Sequence, residues 1–206
     1  MDLLNYLVQP YLSYNLGQIV LEVIAAITGM LSVYFAIKKN IMVYPIGIVS
    51  TTLYTYLLYD WQLYGDMFIN AYYTIMSIYG WWKWLSIHDN TLDIHENPIS
   101  NYKLKISTFL IGAFVGVFLI YLYKFQSIMA IPAVNYIDSL MTAIFLVAMY
   151  LMAKKKIENW HFWIIGDFLA IPLFIYKGYG ITAVQYFIFL IMAIKGWIEW
   201  KNSDKL

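Results

Sequence analysis

The 206 residues are 62% hydrophobic and only 12% charged, with a net charge of +1 at pH 7, whereas a soluble globular domain carries about twice that share of charge. There is no basic surface for nucleic acid, and the lack of cysteine excludes disulfides, thiolate metal sites and cysteine nucleophiles. The hydrophobic residues fall in runs of about 17–20, enough to cross roughly 30 Å of hydrocarbon, so lipid is the expected solvent.

Residues 1–18 lack the basic region and small-residue cleavage site of a signal peptide and read as a short amphipathic or loop segment. Seven apolar segments follow, at 19–37, 41–59, 67–85, 106–125, 136–153, 160–176 and 181–200. The predicted fold class is therefore an all-α integral membrane protein with seven transmembrane helices. The polar stretch 86–105 and the break around Pro132 are the longest connections. The other connections are too short to hold any domain, so 1–206 is expected to form a single membrane domain.

Cytoplasmic loops keep an excess of positive charge. With the N-terminus outside, one face collects Lys38, Lys39, Lys83, Lys103, Lys105, Lys154, Lys155, Lys156, Lys195, Lys201 and Lys205, and the other has Lys124 and Lys177. That bias predicts an external N-terminus and a cytoplasmic C-terminus, which requires an odd number of spans.

Sliding the chain by 116 residues aligns its halves. Glu22 then meets Asp138, Lys38-Lys39 meets Lys154-Lys155, Tyr44 meets Trp160, and Gly80-Trp81-Trp82-Lys83-Trp84 meets Gly196-Trp197-Ile198-Glu199-Trp200. Each copy contains three spans, about 17–85 and about 136–201, and two copies of the same orientation need one extra span between them, about 106–125. The expected architecture is 3+1+3, two parallel repeats related by an axis along the membrane normal, with a substrate site between them near mid-membrane.

A carboxylate near the bilayer middle costs at least ~2.5 kcal/mol unless paired or hydrated, so Asp167 is expected to mark a substrate or ion path. Trp163 lies one turn earlier on the same helical face, and an indole beside a carboxylate suits a flat cationic ring. Asp66, Asn70, Tyr73 and Ser77 form one helical stripe in the third span, which must face inward in lipid. Gln185 is taken as the counterpart of Asn70 in the last span. Ser50, Thr51 and Thr55 are weaker candidates, since hydroxyls can bond their own helix backbone. Glu22 and Asp138 read as anchors near outer helix ends, and Trp81, Trp84, Trp197 and Trp200 as an interfacial aromatic belt.

The histidines make no metal site: His88 and His95 fall in the polar loop and His161 at a helix start, without a metal-binding spacing. No metal or cofactor is expected. Enzyme signatures are absent; an Asp167–His161 proton-transfer pair, six residues apart, would point to different helix faces.

The stretches Tyr44-Pro-Ile-Gly-Ile-Val-Ser-Thr-Thr-Leu-Tyr, Tyr79-Gly-Trp-Trp-Lys-Trp, Glu158-Asn-Trp-His-Phe-Trp-Ile-Ile-Gly-Asp167 and Gly196-Trp-Ile-Glu-Trp resemble the PnuC family of bacterial vitamin transporters. The resemblance covers nearly the whole chain. It implies a 3+1+3 fold, facilitated diffusion of a small water-soluble vitamin across the bacterial inner membrane, and trapping by a cytoplasmic vitamin kinase as a metabolic partner. Nicotinamide riboside members usually carry Trp-x-x-x-Asn where this chain has Trp163-Ile-Ile-Gly-Asp167, so the resemblance favours the thiamine-transporting branch, with nicotinamide riboside as the alternative. The expected substrate-binding residues are Asp167, Trp163, Asn70, Tyr73, Gln185, Ser50 and Thr51. A homo-oligomer is compatible with the sequence, and a sugar uniporter of similar build and an intramembrane enzyme are the remote alternatives.

Overall fold

The computed structural model describes residues 11, 12, 14–61, 64–89, 106, 117 and 133–203. Among these residues six helices form: α1 (Leu16–Ile37), α2 (Val43–Asp60), α3 (Tyr64–Asp89), α4 (Ala133–Ala153), α5 (Asn159–Tyr176) and α6 (Gly180–Ser203). Six of the seven expected spans are thus helical. The other expected span, 106–125, lies outside the described residues apart from Ile106 and Val117, as do Pro132, His95, Lys103, Lys105, Lys124, Lys205 and the side chains of His88 and Asp138.

Local sequence explains the helix ends. Asn15 starts α1 with a capping box: its side chain accepts from the Gln18 backbone N–H, and the Gln18 side chain accepts from the Asn15 N–H. The third helix continues to Asp89, beyond the expected end at 85, and carries His88 on helix rather than loop backbone. No Gly or Pro interrupts residues 81–89, so nothing stops the helix there.

Three helices end in one device, a backbone reversal in which the residue past the cap adopts a left-handed conformation and two N–H groups turn back onto helix carbonyls. After α1, Lys39 N donates to Ala36 O and Asn40 N to Phe35 O; after α4, Lys155 N donates to Met152 O and Lys156 N to Leu151 O; after α5, Gly178 N donates to Ile175 O and Tyr179 N to Phe174 O. The left-handed residue is glycine in the third case (φ 83°), but lysine in the first two, Lys39 (φ 54°) and Lys155 (φ 53°).

An offset of 116 residues relates these features. It carries the bounds of α2 onto those of α5, the start of α3 onto that of α6, the end of α1 onto that of α4, and Lys39 onto Lys155. Contacts follow the same offset. Within one triplet α1 packs on α2 and α2 on α3, within the other α4 packs on α5 and α5 on α6, and the two meet where α3 lies on α4 and α1 on α6. The ring of Tyr44 occupies the space a Cβ on Gly80 would need, and Trp160 does the same at Gly196. Both glycines permit helices to approach closely around a large aromatic ring.

Outward faces are apolar. Val20, Val23, Ile27 and Leu31 of α1 and Val184, Phe187, Ile191 and Ile194 of α6 are exposed. These two helices are long and apolar enough to cross a bilayer, yet only 11% and 17% of their apolar stretches are buried in the fold. A soluble core helix hides such residues; here lipid is the medium that covers them.

Two of the tryptophans near the C-terminal ends of α3 and α6 depart from expectation. Trp84 is 5% and Trp200 0% exposed, so they belong to a packed cluster with Tyr44, Met152, Trp160 and Ala193 rather than to an interfacial belt. They lie on the faces turned towards the opposite triplet. Trp81 does stay exposed, as a belt residue would.

Candidate functional site

Helix α5 brings Trp163 and Asp167 together one turn apart, both facing the interior. Asp167 is 3% exposed. The indole N–H of Trp163 is also buried, without a partner among the described residues. A buried carboxyl group and a buried donor without a partner among the described residues thus share one helix face, although such donors are normally hydrogen-bonded.

Aromatic rings surround the Trp163 side of that pair. The Trp163 ring lies 6.3 Å from Tyr73 of α3 and 5.5 Å from Phe145 of α4. Phe145 stacks on Tyr186 of α6 at 5.8 Å and 10° between planes, and Tyr186 stacks on Phe174 at 5.1 Å. Met141, Ala170 and Leu173 complete the apolar floor. Gly166 is part of the same construction, since a Cβ there would overlap the Phe145 ring. Tyr73 is also within electrostatic reach of Asp167, so two of the expected residues from α5 and one from α3 converge.

The remaining expected residues have other partners. Ser50 Oγ donates to Ala25 O at 2.7 Å and is buried between α1 and α2. Thr51 Oγ1 lies 2.8 Å from Thr74 Oγ1, joining α2 to α3. Asn70 Nδ2 donates to Asp66 O of its own helix. Gln185 Nε2 reaches Tyr54 Oη at 3.5 Å, a long contact linking α6 to α2. The 116-residue offset pairs Asn70 with Tyr186, one position beyond the expected Gln185. Phe145 and Tyr186 were not singled out in the sequence; that register is the signal that leads to Tyr186, whereas Phe145 is one of 12 phenylalanines and carries no sequence mark.

With this geometry in view, the chain matches the family model described as nicotinamide mononucleotide transporter over residues 19–202. The chain belongs to that family. It is 25% identical to the nicotinamide riboside transporter PnuC of Escherichia coli (strain K12), an alignment covering 93% of this chain and 88% of the relative. It is 21% identical to the riboflavin/roseoflavin transporter RibM of Streptomyces davaonensis, covering 87% of this chain and 83% of that one. Its fold superposes on the crystal structure of the vitamin B3 transporter PnuC with a TM-score of 0.67 and 22% identity, over 98% of this chain and 90% of the other. The members of this family are transporters, so the protein is a multi-pass membrane transporter and the intramembrane-enzyme alternative falls away.

Proposed function

We propose that the protein mediates facilitated diffusion of nicotinamide riboside across the bacterial inner membrane. The observation that carries this reading is the aromatic cluster of Trp163, Tyr73 and Phe145 one helical turn from a buried carboxylate, Asp167. A pyridinium ring is flat and permanently cationic. The aromatic faces attract it through their quadrupoles, and Asp167 supplies the opposite charge or a hydrogen-bond acceptor. The Escherichia coli relative is a nicotinamide riboside transporter, which favours nicotinamide riboside over thiamine. Thiamine is the second reading, favoured by one feature: Asp167 stands where nicotinamide riboside members usually have Asn, and its carboxyl group would engage an aminopyrimidine.

The proposed architecture is two parallel three-helix repeats with one span between them, N-terminus outside and C-terminus cytoplasmic. Its support is geometric. Lys39 at the end of α1, Trp84 near the end of α3, Lys155 at the end of α4 and Trp200 near the end of α6 all meet at one end of the molecule. That arrangement supports a connection that leaves α3 at that end, enters α4 at the other and crosses the membrane an odd number of times. The apolar run 106–125 has the length for it. The lysine-rich end is then cytoplasmic, and a vitamin kinase on that side would trap the substrate.

The test is a binding titration of purified protein, read through its eight tryptophans, with nicotinamide riboside and thiamine in parallel. Saturable quenching by nicotinamide riboside supports the leading reading. A response to thiamine alone transfers the proposal to the second, and a response to neither overturns both.

A further inference from the structure

Two lysines occupy backbone positions that ordinarily select glycine. Lys39 and Lys155 each hold the left-handed residue of a helix-ending reversal, where a Cβ is unfavourable by about 1–2 kcal/mol. The chain uses Gly178 for the same task at the end of α5. A residue that tolerates this backbone cost twice, at positions 116 apart, has side-chain contacts that offset it.

Those contacts cross between the triplets. The Lys39 ammonium lies 5.6 Å from the centre of the Trp200 ring of α6, and the Lys155 ammonium lies 4.7 Å from the Trp84 ring of α3. The two indoles approach each other at 6.4 Å. Each preceding lysine also reaches across: Lys38 Nζ is 3.6 Å from Glu199 Oε1, and Lys154 Nζ donates to Tyr79 Oη at 2.6 Å. Trp200 Nε1 donates to Ala36 O at 3.0 Å. Every bond in this set joins one triplet to the other at the same end of the molecule.

We propose that the crossed pairs Lys39–Trp200 and Lys155–Trp84 form a clasp that closes the lysine-rich end of the transporter and must release for that end to open. The proposal rests on the reading of the protein as a transporter that exposes its site alternately to the two sides, and it adds the contact that holds one side shut. A symmetric, charged and aromatic contact suits the task. Cation–π attraction is strong while the indoles are dry, and the half-buried ammonium groups of Lys39 and Lys155 can be rehydrated on opening, so the contact can break without leaving a buried charge behind.

The chain has no cysteine, so a single Ala193→Cys, placed in the cluster beneath the clasp where Ala193 is 2% exposed, reports opening through its reaction with a charged, membrane-impermeant thiol reagent. The full-length protein is compared with K39G/K155G, which suits the left-handed backbone but removes both cations, and with K39R/K155R, which keeps them. The expected result is labelling about tenfold faster in the glycine pair, the scale of one released cation–π contact, and near the parent rate in the arginine pair. An unchanged rate in the glycine pair overturns the clasp, as does equal acceleration in both pairs, which would show that charge is not what closes this end. The single variants K39G and K155G read the same effect should the double variant fail to fold. The assay contains no vitamin, so its failure is separate from failure of the substrate assignment, which the binding titration decides.

Discussion

Asp167 shows how far a single residue can be read. A carboxylate in the middle of an apolar run is conspicuous in the sequence because of its cost in hydrocarbon, and the fold places it within a bundle beside an aromatic enclosure. Trp163 and Tyr73 were legible for a related reason, their spacing on polar or charged helix faces. Phe145 was not, because an apolar residue in a membrane helix is the default and only packing reveals that its ring lies against Gly166 and Trp163. Ser50 was legible as polar but not as glue, since its acceptor, Ala25 O, is 25 residues away in sequence. Asp167→Ala removes both the charge and the hydrogen-bonding oxygens, whereas Asn, usual at this position in nicotinamide riboside members, would keep an acceptor. The expected effect of Asp167→Ala is a weakening of cationic vitamin binding by about 1.5–3 kcal/mol, the range for a hydrogen bond to a charged group, measured as a shift of the tryptophan-quenching midpoint. An unshifted midpoint would remove Asp167 from the site.

Helices were predictable as elements, and their ends less so. The bounds of α2 differ from the apolar segment 41–59 by one or two residues, while α3 runs four residues beyond 85 because charged and polar residues propagate a helix as well as apolar ones do once it has left the lipid. The reversals after α1, α4 and α5 were hidden for a different reason: two of the three lack the glycine that signals them. This asymmetry makes a prediction about the third. Gly178 has φ 83°, and a glycine has no side chain whose contacts could offset a strained backbone. Gly178→Ala is therefore expected to destabilise the protein by about 1–2 kcal/mol, seen as an earlier unfolding midpoint in detergent, whereas Lys39→Gly gains backbone freedom and loses a cation–π contact of similar size, leaving its midpoint near the parent value. Equal losses in both would mean that backbone conformation does not govern these ends.

At the scale of the whole molecule, the 116-residue offset visible through Gly-Trp-x-x-Trp is also the offset at which helices, reversals and cross-triplet contacts coincide. What the sequence concealed was the role of the matched tryptophans, because belt and core positions at a helix end have the same composition and differ only in which way the helix is turned. The direction of the chain follows from where those residues meet. On the proposed topology the ends of α1, α3, α4 and α6 share one side, so the end of α3 and the start of α4 face opposite sides of the membrane, and the positive-inside bias assigns the former to the cytoplasm. A reporter active only in the cytoplasm, fused after position 89, is expected to be active, fused after position 132 to be silent, and fused at the C-terminus to be active again. Activity after both 89 and 132 would mean that the connection does not cross the membrane; the second triplet would then run antiparallel to the first, and Lys155 could not sit over Trp84 at the end where Lys39 meets Trp200.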